Sequence, residues 1–193
     1  MKVLALVAAI FAIAAAQQHC VSPPQWEGFA RYVDPERADF GVVDISYDAS
    51  DQRIRLIERI AIVNTTRPVV DYFEQILLFK EKVLYRINLK TQECEKVPLT
   101  QPFQPIEVPA DAHFRGEEWV GVENLIGAGF LTELWVGSTP RGRFAGQWSA
   151  ALCIPILESY ITFGPRPTYT HSSFYNITLG IKDMNVFKPP SYC

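Results

Sequence analysis

The sequence predicts a mostly all-β, antiparallel fold in a single domain, and three observations carry that reading. Eight Tyr, twelve Phe and four Trp are spread among fourteen Pro and eleven Gly, a mixture that suits strands joined by turns. Short runs alternate apolar and polar side chains, the period of a half-buried strand. No stretch repeats its apolar residues at helical spacing for long, except a short one over residues 68–75.

The strands follow in order. Residues 40–47 form the first, ending in the polar turn Asp48-Ala49-Ser50-Asp51. From Gln52 onward Ile54, Leu56, Ile60 and Ile62 share one face and Arg53, Arg55 and Arg59 the other. Residues 72–79 are more apolar, as in a strand buried on both faces. After the tight connection Lys80-Glu81-Lys82, Val83, Tyr85, Ile87 and Leu89 alternate with Arg86, Asn88 and Lys90. These four strands are expected to share a sheet. Pro98, Pro102, Pro105 and Pro109 cannot donate to a ladder, so residues 97–111 read as a loop or edge excursion. Strand signals resume at 118–124, 130–136, 143–151, 158–163 and 173–181, separated by glycine-bearing turns. Eight to ten strands are expected, with no internal repeat.

The first residues stand apart from this pattern. Lys2 precedes an unbroken apolar stretch from Val3 to Ala16, closed by three alanines and then by polar Gln17 and Gln18. That is the pattern of a secretory signal peptide over residues 1–16, which leaves residues 17–193 as one β domain. The stretch is too short to span a bilayer as a helix, and no later run approaches the length of a transmembrane segment. Export to an oxidising compartment makes disulfides the default for Cys20, Cys94, Cys153 and Cys193, with three connectivities open. Asn64-Thr65-Thr66 and Asn176-Ile177-Thr178 are N-glycosylation acceptors. A glycan on Asn176 has to face solvent, which would turn Tyr175, Ile177, Leu179 and Ile181 inward.

Several function classes fall away. A formal net charge of -3 offers no basic footprint for nucleic acid. There is no G-x-S-x-G, zinc-type paired His, P-loop, G-x-G-x-x-G or EF-hand loop. His19, His113 and His171 are isolated, and Glu117-Glu118 reads as solvated charge rather than a glycosidase pair. The chain is therefore not expected to be an enzyme. Asp34, Glu36 and Asp39 cluster in one loop and are the calcium candidates, although their spacing matches no known calcium loop. Aromatic residues crowd the second half, interleaved with Gly121, Gly127, Gly129, Gly137, Gly142 and Gly146. Large rings beside missing side chains suggest a concave apolar pocket. Its expected lining is Trp119, Phe130, Leu134, Trp135, Phe144, Trp148, Phe163, Tyr175 and Leu179.

Four segments resemble the ependymin and ependymin-related proteins. They are residues 20–28 (Cys-Val-Ser-Pro-Pro-Gln-Trp-Glu-Gly), Tyr47-Asp48 with residues 53–58, residues 85–99 with 108–114, and residues 180–193. The resemblance implies two stacked, curved antiparallel sheets, similar to bacterial lipoprotein-carrier folds, around a hydrophobic pocket. It also implies the pairing Cys20–Cys153 and Cys94–Cys193. Proteins of this kind are secreted glycoproteins linked to lipid or fatty-acid binding, calcium, cell–matrix adhesion and homodimers, with lysosomal or matrix-associated relatives. The resulting expectation is a secreted carrier of a lipid or fatty-acid-like molecule. The alternative is an extracellular matrix or adhesion protein that binds calcium and has no dedicated ligand.

Overall fold

A computed structural model describes residues 20–34, 39–62, 69–139, 142–165 and 167–193. The stretch 1–16, Asn64 and Glu36 lie outside the described residues, as do the side chains of Asp34 and Asp39.

Among the described residues eleven antiparallel strands form one continuous sheet: β1 Gln25–Asp34, β2 Asp39–Asp48, β3 Arg53–Ile62, β4 Val69–Leu78, β5 Val83–Asn88, β6 Glu93–Pro98, β7 His113–Gly121, β8 Gly129–Thr139, β9 Gly142–Ser149, β10 Pro155–Thr162 and β11 Tyr169–Leu179. Their order is β6-β5-β4-β3-β2-β1-β11-β10-β9-β8-β7. Each half of the chain is thus a meander, and the two halves are joined through the β1–β11 pair. All connections but one are between neighbours, as alternating apolar and polar runs separated by turns dictate. Of the short helical stretch expected over residues 68–75, the described residues 69–75 belong to strand β4. Tyr72 and Phe73 suit a pleated surface, and pairing to β3 and β5 overrides weak helical spacing. Strands β1 and β6 go beyond those the sequence pattern predicts. Glu93–Pro98 is a sheet edge with mostly exposed side chains, so it lacks an apolar signature.

The exceptional connection is the proline-rich segment 99–112, which crosses one face of the sheet. We call this segment the strap and the surface it covers the strap face. Phe103 stacks on Tyr47 at 6.1 Å between ring centroids and meets Phe79 edge-on at 5.2 Å. The Ile106 amide donates to the Tyr47 hydroxyl at 3.0 Å. Trp26, Ala30, Val43, Ile45 and Tyr47 make the core beneath it in the first half. In the second half Val108 joins Trp135, Trp148 and Cys20. The N-terminal segment pairs with the strap, since the Ser22 amide donates to the Ile106 carbonyl at 3.0 Å and the Val108 amide to that of Cys20 at 2.9 Å. Cys20 is bonded to Cys153, which fastens this layer to the loop after β9. The prolines that keep the strap out of a ladder leave its apolar side chains free to fill a core.

The other surface, here the far face, is covered in the first half by the C-terminal tail. The 3-10 turn Met184–Phe187 contacts β3. Buried Phe187 lies under the Arg53 guanidinium at 4.4 Å. The tail ends at Cys193, bonded to Cys94 on the edge strand β6. These crosslinks enclose sequence separations of 133 and 99 residues, and in the chain-entropy model each stabilises by roughly 4–5 kcal/mol.

Asp48 anchors the turn between β2 and β3. Its side chain is fully buried, yet it accepts from Gln25 at 3.0 Å, from Arg53 at 2.8 Å and from the Asp51 amide at 3.2 Å. Burial pushes its carboxyl up, but these donors and the Arg53 charge outweigh burial and hold it below the ordinary carboxylate range. A lowered folded pKa contributes stability that is present above the unfolded value and is lost as pH falls through the folded one. Asp48→Asn is therefore expected to cost about 2–3 kcal/mol at neutral pH. Urea unfolding with the disulfides intact should show wild type and variant converging as pH drops below the carboxylate range.

Candidate ligand-binding groove

The C-terminal tail does not cover the second half of the far face, where a groove of about 590 Å³ lies. Cross-strand partners share a face, so the pairs His113–Val136, Val136–Ala145, Ala145–Ser159 and Ser159–His171 trace one row over five strands. The next row holds Ser138, Arg143, Ile161 and Tyr169. Val136, Ala145 and Ile161 make an apolar floor, with the small side chains of Ala145, Ser138 and Ser159 leaving its depth. Arg115, Arg143 and His113 stand at the rim with Asp111. Among the described residues neither arginine is paired with a carboxylate. The Arg143 guanidinium rests 5.8 Å from the Phe163 ring centroid. Ser159 and His171 are 2.9 Å apart, Oγ to Nδ1, with the Tyr169 hydroxyl 3.4 Å from the same nitrogen. Chemically this is an apolar trough with cationic and hydroxyl groups along its margins.

The nine residues expected to line a pocket do not come together. Register divides them between opposite faces. Trp135 and Trp148 are buried on the strap face beneath Val108. Phe144 shares that face, packed against the core around Trp135, and its ring covers Gly137, where an added Cβ would collide with it. Tyr32 covers Gly41 in the same way. These strand glycines are thus filled by neighbouring rings rather than left as space. Phe144 also borders the groove, the one expected residue to do so. Leu134, Phe130 and Tyr175 belong to the far face, Tyr175 stacking on Phe29 at 5.6 Å. Phe163 lies just past β10 near Arg143, while Trp119 and Leu179 are exposed.

The inward alternation expected of Tyr175, Ile177, Leu179 and Ile181 breaks at a bulge opposite Glu27 and Phe29. Asn176 sits there in the left-handed region, φ 53°, which places Tyr175 beside Phe29 and Ile177 over Gly28 on the other face. Asn176 itself is exposed. The groove residues missed in the sequence are Asp111, His113, Arg115, Val136, Ser138, Arg143, Ala145, Ser159 and Ile161. Their signal is small residues recurring at alternate positions between arginines, opposite in phase to the aromatics.

The described residues contain no group of three or more His, Cys, Asp or Glu suited to a metal ion. The acidic turn at Asp48 and Asp51 does not fit calcium, because Arg53 and Lys80 already occupy its oxygens.

The ependymin family model matches residues 68–193. The chain belongs to the ependymin family. Mammalian ependymin-related protein 1 of Mus musculus is 32% identical over 183 residues, covering 91% of this chain and 76% of that relative. Ependymin-2 of Carassius auratus is 27% identical over 179 residues, covering 92% and 80%. An uncharacterized conserved protein from Thermus thermophilus shares the fold at TM-score 0.53 and 8% identity, covering 86% of each chain. A LolA superfamily protein from Nitrosomonas europaea aligns at TM-score 0.37 and 7% identity over 87% of this chain and 91% of that one, too loosely to carry an argument. Among the described residues of this ependymin-family chain, no helix is long and apolar enough to cross a membrane.

Beneath the groove, on the strap face, Glu158 lines a small cavity of about 210 Å³ with Glu107, Pro109 and Tyr160. Burial pushes its carboxyl above the ordinary glutamate value. As pH rises through the carboxylate range the unfolded chain ionises first, so the folded state loses stability until the raised folded pKa is passed. Glu158→Gln is expected to be more stable than wild type at pH 8 and equal to it at pH 4. Urea midpoints at the two values check this.

Proposed function

We propose that the protein is a secreted binding protein that carries a lipid- or fatty-acid-like amphiphile and performs no covalent chemistry on it. The observation that carries this reading is the groove itself. Its volume falls within the roughly 300–1,000 Å³ of small-molecule sites, and it joins an apolar floor to rim arginines that form no ion pair with a carboxylate among the described residues. The acyl tail lies on Val136, Ala145 and Ile161, and the polar head reaches Arg143, Arg115 and His113. Burial of the tail supplies about 0.8 kcal/mol per CH₂ before the entropy of binding is subtracted. A guanidinium holds an acidic head by paired, charge-assisted hydrogen bonds. Membership of the ependymin family supports a binding role without naming the ligand. The exposed position of Asn176 supports its use as a glycan acceptor.

Mass spectrometry of an organic extract of the purified protein is expected to release one amphiphile per chain. Ala145→Phe, which fills the floor, should remove that lipid and abolish displacement of a fluorescent acyl probe. Arg143→Gln should weaken an acidic probe about tenfold, the loss of about 1.4 kcal/mol, and leave the matching alcohol unchanged. An empty extract together with probe binding indifferent to Ala145→Phe would rule the groove out.

A further inference from the structure

We infer that the end of the β7–β8 hairpin is a membrane-docking tip that enters the headgroup layer of a zwitterionic bilayer. The hairpin closes in an ordered turn. Val122 donates to the Ala128 carbonyl at 2.9 Å and Ala128 to that of Leu125 at 3.0 Å, with Gly121 and Gly127 at positive φ. Ile126 is fully exposed, Leu125 is 61% exposed and Val122 47%, with Trp119 and Phe130 at 44% and 43% just behind them. β7 is a sheet edge, so among the described residues no further strand flanks the tip on that side.

Three features point to lipid rather than to a protein partner. Apolar side chains occupy both surfaces of the hairpin, because Trp119 is paired with Leu131 on one and Val120 with Phe130 on the other. A protein surface covers one side of such a finger, whereas a lipid layer surrounds it. The tip is two strands wide, far short of the roughly 20–30 residues a side of a stable protein interface. Aliphatic residues lie at the extremity with a tryptophan behind them, the order in which side chains partition across a membrane–water boundary.

Charge selects the lipid. Between Arg115 and Arg141 the sequence holds no Lys or Arg, while Glu117, Glu118 and Glu123 surround the tip. Nothing there attracts an anionic surface, so adhesion comes from apolar burial alone and is opposed by acidic lipid. Glu123, in the turn itself, limits entry to the headgroup layer. The inference stands whatever the groove holds.

The four tryptophans make a direct test, since Trp26, Trp135 and Trp148 are buried and Trp119 is not. Phosphatidylcholine vesicles are expected to shift the fluorescence of the full chain to the blue, and brominated phosphatidylcholine to quench it. Replacing a third of the lipid by phosphatidylserine should weaken binding several-fold. Leu125→Asp with Ile126→Asp, at exposed positions that leave the circular dichroism unchanged, should reduce vesicle binding by about tenfold or more, and Glu123→Gln should strengthen it. Absence of quenching by wild-type protein would overturn the inference, as would undiminished vesicle binding by the double variant. So would a wild-type dimer that the double variant converts to monomer while vesicle binding stays the same, which would assign the tip to a second copy of the chain.

Discussion

The contact between the strap and the sheet is the constraint on which the rest of the structure depends. An open antiparallel sheet of eleven strands has two surfaces to shield, and side chains from one layer cannot shield both. Phe103, Ile106 and Val108 cross from the Tyr47 cluster to the Trp135 and Trp148 cluster, so one segment closes the core of both halves. Proline fits this position because the strap needs few ladder bonds of its own. The Cys20–Cys153 bond and the short pairing of residues 20–22 with 106–108 hold it in place.

Once the strap face is filled, the far face becomes the available one. Its first half is taken by the C-terminal tail, fastened at Cys94 and at Arg53. Its second half is left with small side chains between arginines, which is where the groove lies. The buried aromatics therefore fill the core, and the small residues line the groove. β8 connects the two surface features of that half, carrying Phe130 at the hairpin tip and Val136 in the groove.

Two carboxyls, one fully buried and one half-buried, show how the balance of partners against burial decides the direction in which a pKa moves. Asp48 is shut off from solvent, but it receives three hydrogen bonds, one of them from the Arg53 guanidinium, and its carboxyl is held low. Glu158 faces a cavity it shares with another acid, and burial alone moves it, upward. The first acts as a rivet for the β2–β3 turn. The second makes the strap side of β10 sensitive to pH.

The sequence by itself determined the strands whose two faces differ in polarity. In β3 the alternation of isoleucines with arginines sets both the element and its orientation, and the β5 pattern does the same. It determined the turn chemistry at Asp48 and Lys80, the loop character of the proline segment and, through four short segments, the family. Edge strand β6 was not legible because neither of its faces is buried enough to impose a pattern. Tertiary structure alone decided which face of each aromatic strand would be core and which would be free. That choice follows from where residues 99–112 and 181–193 come to rest, sites fixed by disulfides and ring contacts between residues far apart in the chain. A period of two reveals that a strand has two faces; only the partner that covers one of them reveals which is left for a ligand.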